Sequence, residues 1–252
     1  MDNLIYDCLI SIGRFLTVTD LMNLSLCNKM FYYVSNNELI WQTLFLSKFS
    51  NVICANDFRY NYKKYNNLDK FLLNSGYSGI NACVNLESLS LSDKRLHLIP
   101  TELGIMTKLE ILNFDNNYIK SVPTELGFLT NLRILSFHNN GLKIVPTELG
   151  LLTNLRKLSL DNNRLKLVPT EIGYLTNLEE LYLYNNLYLH TIPTEIGLLR
   201  NLEIIDLSDN SFVSIPTEIG LLTNLRILSS FNNVNLIIPP EIELLTNLEF
   251  VY

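Results

Sequence analysis

Over residues 86–252 the apolar positions fall into one fixed figure. Aligned on its leucines it reads Leu-x-x-Leu-x-Leu-x-x-Asn-x-Leu-x-x-Ile/Val-Pro-Thr-Glu-Leu/Ile-Gly-x-Leu-Thr-Asn. Units start at Leu86, Leu109, Leu132, Leu155, Leu178, Leu202 and Leu225, and an eighth starts at Leu248 and runs to Tyr252. The segment Pro-Thr-Glu-Leu/Ile-Gly begins at Pro100, Pro123, Pro146, Pro169, Pro193 and Pro216, with the variant Pro239-Pro-Glu-Ile-Glu closing the series. Successive prolines are 23, 23, 23, 24, 23 and 23 residues apart. A fixed period near that length predicts a solenoid, in which each unit buries its apolar face only by stacking on its neighbours.

Within a unit each position has a physical reading. Leu155, Leu158 and Leu160 alternate as a short strand does and point to one side. Asn163 ends the strand, where a buried amide can both donate to and accept from neighbouring backbone. Asn117, Asn140, Asn186, Asn210 and Asn233 continue that ladder, and Lys94 replaces the amide in the first unit. Leu165 and Val168 return inward, and Pro169 fixes φ as the chain turns onto the far side. Thr170 reads as the cap of a helical turn and Glu171 as a carboxylate at its N-terminus. Gly173 either relieves crowding or ends that turn. The fifth unit carries one extra residue between Asn186 and Ile192, read as a bulge, and the seventh has Ser230 where an inward leucine belongs.

Features that repeat faithfully are scaffold, so information lies in the strand positions that alternate outward. In successive units the first outward column is Ser88, Ile111, Ile134, Lys157, Glu180, Ile204, Ile227 and Phe250. The second is Ser90, Asn113, Ser136, Ser159, Tyr182, Asp206, Ser229 and Tyr252, and the third is Ser92, Asp115, His138, Asp161, Tyr184, Ser208 and Phe231. Stacked strands lie about 4.8 Å apart, so the columns make one continuous surface. Ile111, Asp115, Ile134, His138, Asp161, Glu180, Tyr182, Tyr184, Asp206 and Phe231 are the candidate target-binding residues: aromatic and apolar anchors among carboxylates on a rigid face.

Upstream, the pattern changes. Leu4, Leu9, Ile12 and Leu16, then Leu21 and Leu24, fall at helical spacings, with Asp20 placed to cap the second run. Met30, Phe31 and Val34 belong to a further helix, and Glu38–Leu46 to another, in which Trp41 reads as a core anchor. Phe58–Tyr65 interleaves aromatic and basic residues. Three basic residues are too few for a nucleic-acid platform, so the segment reads as a helix whose Tyr rings pack inward. Asn67–Leu73 suggests a short helix, broken by Asn74-Ser-Gly-Tyr-Ser-Gly79.

Composition narrows the function. The formal net charge is −6, and it is uneven. Residues 1–83 carry seven Lys/Arg against six Asp/Glu, and residues 84–252 carry twelve against nineteen. An acidic repeat region argues against nucleic acid as its ligand. Cys8, Cys27, Cys54 and Cys83 form no Cys-x-x-Cys pair, so they read as small buried groups of a reducing compartment. The N-terminus has no basic region and no stretch approaches twenty apolar residues, which predicts a soluble intracellular protein with no membrane association. His97, His138 and His190 stand at unlike unit positions without metal-ligand companions. His138 shares a column with Asp115 and Asp161, but no nucleophile accompanies them, so they read as contact groups and no catalysis or cofactor is expected.

Two family resemblances sit on these residues. The 23-residue unit resembles the leucine-rich repeat of the Leu-Pro-x-x-Ile-Gly type. Leu4-Ile-Tyr-Asp-Cys-Leu-Ile-Ser-Ile-Gly-Arg-Phe-Leu16, then Thr-Asp20-Leu21-Met-Asn-Leu24-Ser-Leu-Cys-Asn-Lys29-Met-Phe31 and Leu39-Ile-Trp41, resembles the F-box. Together they imply an α/β chain: a small F-box-like helical bundle over 1–48 and a helical connector and N-terminal cap over 49–85. A leucine-rich-repeat solenoid with a concave parallel sheet follows over 86–252, as seven repeats and a partial eighth. The F-box resemblance implies docking on a Skp-family adaptor of a cullin–RING ubiquitin ligase. By position, Leu4, Ile5, Leu9 and Leu16 would supply the adaptor-facing surface, and Leu21, Lys29 and Trp41 would build or extend it. The chain would then be a non-catalytic substrate receptor whose concave face binds a target protein. The alternative is a repeat scaffold for a signalling protein such as a small GTPase or phosphatase, since similar repeats occur in Ras-pathway scaffolds.

Overall fold

A computed structural model of the protein describes residues 58–251 together with Gln42 and Lys48. The chain divides into two compact units, Met1–Val84 and Asn85–Tyr252. Leu4, Ile5, Leu9, Leu16, Leu21, Lys29 and Trp41 lie outside the described residues.

In the first unit, helix α1 spans Phe58–Asn74 without interruption. It therefore absorbs both segments that the sequence suggested as separate helices. Tyr65, Leu68 and Leu72 recur at three and four residues and are buried, while Lys63 is exposed. Tyr65 thus packs inward, as expected of a structural helix. The helix ends at the Ser75–Gly76 turn, and a single helical turn, α2, follows at Ile80–Cys83. Asp69 ties the two together: its buried carboxylate accepts the Ile80 N–H at 2.9 Å and pairs with the Lys48 ammonium at 3.2 Å. Gly79 makes this possible, since it sits at φ +87° and an added Cβ would meet Asp69 Oδ1 at 2.6 Å. Cys83 is a free, buried thiol whose pKa burial raises.

The second unit is a solenoid. Its strands are β1 (Ser88–Ser90), β2 (Ile111–Asn113), β3 (Ile134–Ser136), β4 (Lys157–Ser159), β5 (Glu180–Tyr182), β6 (Ile204–Asp206), β7 (Ile227–Ser229) and β8 (Phe250–Val251). They form one eight-stranded parallel sheet in chain order. Register follows the repeat without slippage: Leu89, Leu112, Leu135, Leu158, Leu181, Ile205, Leu228 and Val251 are successive partners. A one-residue slip would put every one of those side chains on the wrong face.

Opposite the sheet, each of the first seven units makes a 3-10 turn, such as Thr170–Tyr174, entered from a proline in extended backbone. The Pro169 carbonyl accepts the Ile172 N–H at 3.1 Å, so the proline supplies an acceptor where it has no donor to lose. Thr170 is not the cap the sequence suggested. Pro169 holds that position without a side-chain bond, and the Thr170 hydroxyl donates to Glu171 instead, at 3.2 Å. Gly173 is explained by close approach: an added Cβ would stand 2.8 Å from both Cβ and the carbonyl oxygen of Glu195 in the next unit.

Between sheet and turns lies the core of inward leucines and isoleucines, with Phe114, Phe137 and Phe212 fully buried. The Phe114 and Phe137 rings stack at 5.2 Å. The asparagine ladder runs along this core as expected. Asn163 Nδ2 donates to the carbonyls of Phe137 at 2.9 Å and Leu160 at 3.0 Å, and its Oδ1 accepts the Leu142 N–H at 2.9 Å. One amide therefore satisfies buried backbone of two successive units, where water cannot reach. The extra residue of the fifth unit is taken up in a turn closed by the Leu189 N–H on the Asn186 carbonyl, 2.8 Å.

Candidate functional site

Strand pairing sets the outward columns as the sequence alignment drew them. Ser88, Ile111, Ile134, Lys157, Glu180, Ile204, Ile227 and Phe250 are consecutive register partners. So are Ser90, Asn113, Ser136, Ser159, Tyr182, Asp206 and Ser229. Ile111, Ile134, Glu180, Tyr182 and Asp206 thus lie on the strands, whereas Asp115, His138, Asp161, Tyr184 and Phe231 follow just after them, and the ten differ in depth. Ile111 and Phe231 are exposed, Asp161 is buried, and Asp115, Ile134, His138, Glu180, Tyr182, Tyr184 and Asp206 are half-buried.

Two polar clusters occupy the middle of the face. In the first, the Asp161 carboxylate is bonded to His138 Nδ1, to the Ser159 hydroxyl and, at 3.3 Å, to the Asn162 amide. Asn162 also donates to the Tyr184 hydroxyl at 2.8 Å. Two column positions before Asp161, Asp115 accepts the Ser136 hydroxyl at 2.5 Å and the His138 N–H at 2.9 Å. The order is serine to carboxylate to imidazole, so Ser159 presents no proton to His138 and the group is not a nucleophile-and-base pair. It is a connected hydrogen-bond network that fixes the surface.

In the second cluster, Lys157 donates to Glu180 at 2.6 Å and lies 4.8 Å from the centroid of the Tyr182 ring. The Tyr182 hydroxyl donates to the same carboxylate at 3.0 Å. Burial, the bond to Glu180 and nearby Asp206 and Asp161 push the Tyr182 pKa up to about 12. Burial raises Tyr184 as well, helped by Asp161. Burial works against the Glu180 charge, but the bonds from Lys157 and Tyr182 outweigh it and leave its pKa lowered. Asp206 differs from these: its Oδ1 accepts the Ser208 N–H at 3.0 Å, and among the described residues no cation pairs with it.

The alignment placed these columns but missed the asparagines that frame them. Asn116, Asn139, Asn162, Asn185 and Asn232 all sit at φ between +53° and +58°. Asparagine is among the few side chains that tolerate this region, and an Asn-Asn pair repeated in five of the units was the available signal. Among the described residues no group of three His, Cys, Asp or Glu is placed to hold a metal ion, and no helix is long and apolar enough to cross a membrane.

Residues 153–212 match the family model for the leucine rich repeat. The chain carries leucine-rich repeats. Its fold is similar to that of a leucine-rich-repeat protein of Leptospira interrogans, at 34% identity and a TM-score of 0.55 over 65% of this chain and 47% of that one. It is also similar to a plant peptide hormone receptor, RGFR1, solved in complex with RGF2, at 33% identity and a TM-score of 0.61. That match covers 67% of this chain and 28% of the receptor. The leucine-rich-repeat ectodomain of the Arabidopsis thaliana membrane receptor kinase GASSHO1/SCHENGEN3 gives 34% identity and a TM-score of 0.55, over 62% and 19% of the two chains. The chain thus spans less than half the length of each of these structures. Comparison with curated proteins finds no sequence match. Leucine-rich repeats are a protein-interaction fold and typically a non-catalytic scaffold.

Proposed function

We propose that the repeat sheet face captures a target protein and that residues 1–48 dock on a Skp-family adaptor, making the chain a substrate receptor of a cullin–RING ubiquitin ligase. The observation that carries target capture is the sheet face itself. Constant positions build the scaffold, and the outward columns hold Tyr182 and Asp206 on strands, with Tyr184 and Phe231 just after them, beside the asparagine ladder. Rigid aromatic groups lose little entropy on binding and make efficient anchors. That RGFR1 was solved with RGF2 supports the same kind of use here. The ligase half of the proposal rests on the F-box resemblance of Leu4–Trp41, and a cytoplasmic or nuclear location goes with it. The chain would perform no chemistry and would act by raising the effective concentration of target near the ubiquitin-transferring subunit.

Co-expression with a Skp-type adaptor tests the ligase half. Wild type is expected to co-purify and Leu16→Asp to lose the adaptor. No co-purification of wild type, or undiminished binding by Leu16→Asp, removes the ligase reading and leaves a scaffold for a signalling protein. Target capture is tested separately: Tyr182→Ala with Tyr184→Ala should lose cross-linked partners that wild type retains, with an unchanged circular dichroism spectrum. An identical partner set would show that another face binds.

A further inference from the structure

A second surface lies on the flank formed by the segments that follow the strands. In three successive units the same position, three residues after the ladder asparagine, is Lys120, Lys143 and Lys166. Arg164 stands beside them, and all four side chains are exposed. Backbone bonds hold the flank in register: the Lys166 N–H donates to the Lys143 carbonyl at 3.1 Å, and the Arg164 N–H to that of Leu142 at 2.8 Å. The lysines are therefore stacked like charges, an arrangement that is unfavourable in itself.

Several other cations of the repeats have a carboxylate partner, whereas Lys94, Arg95 and Lys108 stand singly without one among the described residues. Arg156 bonds Glu179 at 2.8 Å, Lys157 bonds Glu180 at 2.6 Å and Arg226 bonds Glu249 at 2.9 Å, each across one period. None of Lys120, Lys143, Arg164 and Lys166 has an ionic or hydrogen-bonding side-chain partner among the described residues. They line two adjoining hollows. A cleft of about 750 Å³ holds Tyr118, Lys120, Lys143 and Arg164 over the ladder asparagines, with Asp93 as the carboxylate among its lining residues. The neighbouring hollow, about 340 Å³, is lined by Lys143, Arg164, Lys166 and Tyr188. Tyr118, Tyr188, Ile144 and Leu167 are each at least 50% exposed on the same segments.

We infer that this flank is a docking surface for an acidic segment of a partner protein, carrying carboxylates alternating with apolar side chains. Four uncompensated cations supply charge complementarity, and the exposed Tyr, Ile and Leu side chains supply apolar contacts between them. A short peptide fits better than nucleic acid. The remainder of the repeat region is acidic, and its repulsion acts on any polyanion that extends more than about 10 Å beyond the patch. The surface is independent of the target reading of the sheet face, and Lys157 on that face provides the control.

Fluorescence anisotropy with the full chain and a labelled peptide of alternating Glu and Leu tests the inference. Saturable binding is expected, weakened about tenfold by high salt and about tenfold or more by Lys143→Glu with Lys166→Glu. The milder pair Lys143→Gln with Lys166→Gln should fall between, and neither pair should lower the melting temperature: the neutral pair removes a repulsion, and the charge-reversed pair exchanges one repulsion for another while gaining attraction to Lys120 and Arg164. Lys157→Gln should bind as wild type does. No saturable binding, equal affinity in the charge-reversed pair, or an equal loss in Lys157→Gln overturns the inference. An oligothymidylate that binds as tightly as the peptide also overturns it and makes the flank a nucleic-acid surface.

Discussion

Lys157 and Glu180 are register partners on adjacent strands, and their side chains meet at 2.6 Å on the outward face. The same ammonium covers the Tyr182 ring, and Tyr182 donates to the same carboxylate. A residue from one unit and two from the next therefore act as one electrostatic group.

That group predicts a late-ionising tyrosine. Tyr182 is raised from about 10 to about 12, chiefly by burial and then by the bond to Glu180. Its protonated form is favoured in the folded state, so its contribution to stability is present below pH 10 and is lost as pH rises towards 12. Spectrophotometric titration of phenolate should show a late phase that shrinks by one tyrosine in Tyr182→Phe. Loss of melting temperature between those pH values should be shallower in the variant.

Glu180 carries the opposite sign. Burial raises its pKa, but the bonds from Lys157 and Tyr182 prevail and the net shift is downward. Its contribution is present above the unfolded carboxylate value and is lost as pH falls through the lowered folded one. In Lys157→Gln the Glu180 carboxyl resonance should titrate at higher pH than in wild type.

The ladder predicts position-dependent costs. Asn163→Ala would leave the Phe137 and Leu160 carbonyls and the Leu142 N–H without their partner in a buried setting. Urea denaturation should show a loss of about 3 kcal/mol. Asn233 makes equivalent bonds to Leu207, Ser230 and Phe212 but is only half-buried, so water replaces part of them. Asn233→Ala should cost roughly 1 kcal/mol.

Two glycines should respond in opposite directions. Gly173→Ala brings a methyl group to 2.8 Å from Glu195 backbone oxygen, so successive turns must separate, at a cost of about 2 kcal/mol. Gly141→Ala meets nothing closer than the Ile119 oxygen at 3.4 Å. With room for the methyl group, it should be neutral or stabilise by up to about 1 kcal/mol, because it restricts the unfolded chain. Thermal melts of the two variants check the contrast.

The buried ring stack gives the largest expected effect. Phe137 has no exposed surface and stacks on Phe114 at 5.2 Å. Phe137→Ala should cost about 4 kcal/mol, while Phe231→Ala, on the exposed face, should leave stability nearly unchanged. Paired denaturation curves distinguish them.

The repeat alone determined the period, the register, the inward leucines and the outward columns. It could do so because each unit states its own alternation and each neighbour restates it one period later. The role of Asn163 was legible for the same reason. Depth and pairing were not legible. Asp115 and Asp161 held the same column position along the chain, yet Asp161 is buried on His138 and Ser159, whereas Asp115 is half-buried on Ser136 and the His138 N–H. Thr170 looked like a cap, but Pro169 already ended the extended segment with a carbonyl in place. Gly173 was ambiguous until Glu195 appeared behind it, and Lys120, Lys143 and Lys166 were ordinary surface residues until stacking put them side by side. In every such case the deciding neighbour is about one period away in sequence and in direct contact in space. Local pattern specifies where a side chain points, and only the stacked solenoid specifies what it meets there.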